Sequence, residues 1–121
     1  MSKAPALAAA AAEALRSLNH ATLGPDGLAQ PGDAYDVLAA LSLAASRLPQ
    51  ALGQVGRWLD TALADGRLAC HDGSDPVFAV GGTWLFLHDA RGTAAALAGD
   101  IGQAQQQLSA VSGHEERKTN P

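Results

Sequence analysis

The chain has 121 residues, a formal charge of -4 and one cysteine, which fits one domain around one core and excludes an intramolecular disulfide. Eight basic residues against twelve acidic ones, with no basic cluster, lack the electrostatic attraction that dominates nucleic-acid binding, so no direct DNA or RNA contact is expected. No stretch reaches the roughly 20 apolar residues that cross a bilayer. The alanine run of MSKAPALAAAAAEALRSL is cut by Glu13 and Arg16 before it could act as a secretory signal, and the unpaired Cys70 suits a reducing compartment, so a soluble cytoplasmic protein is the expectation.

Taken in chain order, the first element runs from about Ala4 to Ala21, with Leu7, Ala11, Ala14, Leu15 and Leu18 on one face and Pro5 in its first turn. LGPDGLAQPG, from Leu23 to Gly32, breaks any period and reads as a loop. Asp33 is then placed to cap a second helix, whose buried stripe is read as Ala34, Val37, Leu38, Leu41, Ala45 and Leu48. Pro49 should kink or restart that helix. Beyond it Leu52, Val55, Leu59 and Ala62 continue the stripe, widened by Ala51, Trp58 and Leu63, until Gly66 ends the helix with a left-handed cap.

A turn from Arg67 to Asp75 leads to Pro76, pre-set for a first helical turn and capped by Ser74 or Asp75. The last helix is predicted to reach Ser112. Its seam is read as Val77, Val80, Trp84 and Leu87, then Ala94, Leu97, Ile101, Ala104, Leu108 and Val111, with spacings of three and four. VFAVGGTWLFLH also admits a β-hairpin turning at Gly81-Gly82. No other segment offers it a strand, which favours helix. Residues 113–121 read as a flexible polar tail.

The expected fold is therefore all-α: an antiparallel bundle of three to four helices in one domain, residues 1–112, built on a long kinked helical hairpin. Folding the chain about Cys70 and His71 sets Pro49 opposite Arg91 and Gly92. It also brings Gly53 and Gly56 opposite His88 and Leu85, with Trp84 against a glycine groove.

Candidate chemistry is sparse. Cys70, His71 and Asp72 are metal-ligand types, but three adjacent residues cannot converge on one ion and no second pair stands at ligand spacing, so no metal or cofactor is expected. His88 and Asp89 point about 100° apart on a helix, which does not build an acid-base pair. No phosphate-loop, dinucleotide, HExxH or GxSxG motif occurs, and the chain is read as non-enzymatic. Trp58 and Trp84 are read first as core and second as interface anchors, while Phe78, Leu85 and Phe86 leave the main stripe and form an apolar end. With His88 these five are the interaction or pocket candidates. The leading function is protein-protein interaction, by self-association as a homo-oligomer or by docking a partner helix; the alternative is a bundle binding a small hydrophobic molecule between its helices.

The stretches ASRLPQALGQVGRWLD, GRLACHDGSDP and AGDIGQAQQQLSAVSG resemble uncharacterised small helical proteins of actinobacterial genomes and mobile elements. The resemblance spans Asp33 to Gly113 and implies a helical fold and no catalytic residues. The turn GRLACHDGSDP lacks the tryptophan that WXG-type helical hairpins carry there.

Overall fold

The structure is a computed structural model describing residues 2–113, and most of the expected polar tail lies outside the described residues. It contains three α-helices, α1 (Ala4–Ala21), α2 (Pro31–Ala64) and α3 (Pro76–Gln107), and no strand among the described residues. By its internal contacts the chain divides into two compact units. One comprises the chain up to Ala34 with the segment from Val111 on; the other is Tyr35–Ala110.

In the first unit the Ser2 hydroxyl accepts from the Ala4 N–H at 3.1 Å, and Thr22 closes α1 by donating its hydroxyl to the Leu18 carbonyl at 2.9 Å. α1 buries none of its residues. α2 starts two residues before the expected cap, because Pro31 carries a φ already suited to a first helical turn. Asp33 therefore sits inside the helix. Its carboxylate reaches back to accept from the Ala29 and Gln30 N–H groups at 2.9 and 3.2 Å, the reverse half of a capping box.

In the second unit α2 and α3 pair antiparallel, and three cross-contacts fix their register. The Ser42 hydroxyl donates to the Ala98 carbonyl at 2.9 Å, Arg91 Nε donates to the Pro49 carbonyl at 3.0 Å, and the Trp84 ring lies over Gly56. These partners are seven residues apart along both helices: Ser42, Pro49 and Gly56 on one, Ala98, Arg91 and Trp84 on the other. A strict seven-residue repeat is the condition for two helices to keep one seam in contact along their length. The contacts show the expected pairing of Pro49 with Arg91, but Gly53 meets Arg91 rather than His88, and Gly56 meets Trp84 rather than Leu85.

The seam differs from the expected one in its membership. On α3 the inward positions are Val80, Trp84, Leu87, Arg91, Ala94, Ala98, Ile101 and Gln105, all buried or half-buried, as is Leu108 just past its end, whereas Leu97, Ala104 and, beyond the helix, Val111 are exposed. On α2 Ser42, Pro49, Gly53 and Gly56 face inward, and Leu48, Ala51, Val55 and Trp58 do not. At Leu48–Pro49 and Leu97–Ala98 hydrophobicity alone selects the leucine, whereas the register selects by phase and takes its smaller neighbour.

Pro49 does not restart the helix; α2 runs through it unbroken. Proline removes one helical hydrogen bond, and in the same turn Arg91 adds one from the facing helix. α2 then ends as expected, with Gly66 at φ 72°, the Gly66 N–H bonded to Leu63 and the Arg67 N–H to Ala62. Asp75 caps α3 by accepting from the Val77 N–H at 3.0 Å, ahead of Pro76. Residues 77–87 are helical and not a hairpin. α3 stops at Gln107, short of the expected Ser112, where the Leu108 N–H turns back to the Gln105 carbonyl at 2.9 Å.

Two glycines distinguish packing from propensity. A Cβ on Gly56 would stand 2.5 to 2.7 Å from the Trp84 ring, whereas one on Gly82 would meet nothing within 4 Å. Gly56→Ala should therefore destabilise the fold by about 1–3 kcal/mol of overpacking, less the roughly 1 kcal/mol that alanine gains in a helix. Gly82→Ala should stabilise it by about 0.5–1 kcal/mol. Urea unfolding of both variants measures the contrast, and equal effects would show that Trp84 does not depend on Gly56.

Candidate functional site

The two flanks of the α2–α3 pair differ in chemistry, and the difference follows from which residues border the seam. On one flank lie Gly53 and Asp60 of α2, beside Trp84, His88 and Arg91 of α3. Trp84 Nε1 donates to Asp60 Oδ1 at 2.8 Å, closing the ring over Gly56. Arg91 is half-buried, and its guanidinium carbon would stand 3.1 Å from a Cβ on Gly53. Arg57 Nη1 comes to 3.3 Å of the same point from α2's own next turn. The glycine groove is thus filled by an indole and two guanidinium groups.

The other flank carries no hydrogen bond between the helices among the described residues. Leu48 and Val55 border the seam there on α2, and Leu97 borders it on α3; all three are exposed. Trp58 lies one turn from Val55 at 57% exposure, with the Arg67 guanidinium 5.4 Å from its ring centre, a cation–π contact at the end of α2.

The sequence candidates separate accordingly. Trp84 is a packing residue held by Gly56 and Asp60. Trp58 is on the surface rather than in the core, because its position falls outside the seven-residue phase that Gly56 and Leu59 occupy. Phe78, Leu85 and Phe86 are exposed at 78%, 66% and 73% on the outer side of α3. His88 is exposed and makes no hydrogen bond among the described residues. Arg91 is marked in the sequence by its place opposite Pro49 and its nearness to His88 and Asp89, whereas Arg57 and Asp60 carry no mark of residue type. The available signal was spacing, since Arg91 follows Trp84 by one heptad.

The turn between α2 and α3 holds a shallow, open depression lined by Ala69, Cys70, His71, Asp72, Ser74 and Ala79. Its one carboxylate is already engaged, because Asp72 Oδ1 accepts from the Ser74 hydroxyl at 2.7 Å and the Ser74 N–H at 3.0 Å. Among the described residues no three His, Cys, Asp or Glu side chains are grouped closely enough to hold a metal ion. No described helix is long and apolar enough to cross a membrane.

The Ser74 hydroxyl, and after it the Ser74 N–H, hold the exposed Asp72 carboxyl below its ordinary value, since both donors favour the ionised form. A depressed folded-state value means that this turn adds stability above the range where free aspartate titrates, and loses it as the pH falls through the lowered midpoint. Ser74→Ala should move the Asp72 midpoint upward, toward that of free aspartate, in a carbon-detected NMR titration; an unmoved midpoint would remove Ser74 as the cause. Comparison of the chain with protein-family models, with curated proteins and with solved structures finds no match.

Proposed function

We propose that the protein is a non-enzymatic interaction protein that self-associates through the apolar surface of the α2–α3 pair. One observation carries this reading: the buried hydrophobic residues are Ala45, Ala62, Val80 and Ala94, while Phe78, Phe86, Leu85 and Trp58 are exposed. Large side chains supply most of the hydrophobic free energy of an interface, at about 25 cal/mol per Å² buried, and here they face outward. A helix apolar on every side is ordinarily covered on every side.

The outer surface of α3 also has a shape to receive a partner. Phe78 and Leu85 are two turns apart, and between them Gly81 and Gly82 leave the backbone open, with nothing within 4 Å of where their Cβ atoms would be. Bulky residues about a gap let a second helix approach and lay its own side chains between them. The alternative, a hydrophobic small molecule between the helices, has less support, because it would require Trp84 to leave Gly56 and Asp60. A reducing, cytoplasmic setting agrees with the single unpaired Cys70.

Light scattering coupled to size-exclusion chromatography tests the proposal. The protein should run at twice the chain mass or more at micromolar concentration. The triple substitution Phe78→Gln, Leu85→Gln, Phe86→Gln should reduce it to a monomer while circular dichroism shows unchanged helix content. A monomeric parent at high micromolar concentration would overturn the reading.

A further inference from the structure

The geometry points to an oxyanion site on the hydrogen-bonded flank of the α2–α3 pair, formed by Arg57 and Arg91 over Gly53 with His88 beside them, and fitted to a phosphoryl group. Two guanidinium groups, one from each helix, come within about 3 Å of the same point above Gly53, so like charges face each other where the missing side chain leaves room. Such a pair is unfavourable unless an anion lies between its members or a carboxylate answers it. No carboxylate does: the ion pairs of the described residues are Arg16–Glu13 and Arg67–Asp65.

The nearby acids are accounted for. Asp60, three residues from Arg57, gives Oδ1 to the Trp84 indole at 2.8 Å and lies beyond ion-pair distance of both arginines. Asp89 follows His88 by one residue, which turns it about 100° farther around α3 and away from the seam. These are the only acids from Pro49 to Asp60 and from Trp84 to Ala95.

Arg91 is held in place independently of any ligand. Its Nε donates to the Pro49 carbonyl at 3.0 Å, which fixes the plane of the guanidinium and leaves its two terminal amino groups without a protein partner among the described residues. Arg57 makes no side-chain hydrogen bond among them either. A guanidinium presents parallel N–H donors suited to the edge of a phosphate. Two of them, one from each helix, bring N–H donors to one point from different sides, which suits an anion with several oxygens such as a phosphoryl group. His88 stands on the same side, four residues after Trp84 and three before Arg91.

Titrating the full chain with inorganic phosphate, with chloride at matched ionic strength and with acetate tests the site. In nitrogen-proton correlation spectra, phosphate should move the Arg57 and Arg91 Nε–H signals and the Trp84 indole signal along saturating curves, and chloride should not. Arg57→Gln, which removes an exposed side chain with no protein hydrogen bond, should weaken phosphate binding at least fivefold with the spectrum otherwise intact. Arg91→Lys, read beside it, should lose both the phosphate response and the Pro49 contact. Equal shifts with chloride, acetate binding as tightly as phosphate, or full affinity in Arg57→Gln would each overturn the proposal.

Discussion

The absence of a side chain at Gly53 and Gly56 sets the distance between α2 and α3. With a Cβ at Gly56 the Trp84 ring could not lie where it does, and with one at Gly53 the Arg91 guanidinium would have to give way. Ser42, two heptads before Gly56, makes a third link, where its hydroxyl reaches the Ala98 carbonyl at 2.9 Å. At Gly53 and Gly56 the helices therefore interlock by setting a larger group of one against the bare backbone of the other. This differs from the usual coiled-coil seam, in which branched apolar residues alternate from both sides.

Close approach has an energetic consequence. The residues it buries are alanine, valine and glycine, which bring little apolar area each, so hydrophobic burial within the pair is modest for its length. Dispersion contacts and the three polar bonds across the seam do more of the work of fixing the register, because each is satisfied at one alignment only. A slip of one residue would set a side chain against the Trp84 ring and remove the Pro49 carbonyl from Arg91. The arrangement specifies the pairing well and leaves the large apolar residues unused.

Much of this architecture is legible in the sequence. The all-α class, the Gly66 stop, a cap at Ser74 or Asp75 and the opposition of Pro49 to Arg91 follow from spacing, from turn chemistry and from folding the chain about its polar turn. The membership of the seam is less legible. Leu97 and Ala98 are adjacent, as are Leu48 and Pro49, and hydrophobicity favours the leucine in both cases. Only the heptad phase anchored by Trp84, Arg91 and Ala98 reverses the choice. The arginine pair is hidden for a related reason: a charged residue in a seam contradicts the apolar pattern that defines a seam, and Gly53, which makes room for it, lies 38 residues away in sequence. The start of α2 is displaced because two local signals compete, and Pro31, whose backbone is already helical, prevails over the side-chain cap at Asp33.

The asymmetry between flanks follows from the same phase. Positions just outside a seven-residue seam fall alternately to either side. Here one side receives Gly53, Asp60 and His88, while the other receives Leu48, Val55 and Leu97. On the first side Asp60 bonds across to the Trp84 indole of the facing helix. Apolar residues on the second have no such partners and stay exposed. The bonds that hold this long pair together lie along its seam, and they use neither the Arg57 guanidinium on the first side nor the exposed Leu48, Val55 and Leu97 on the second.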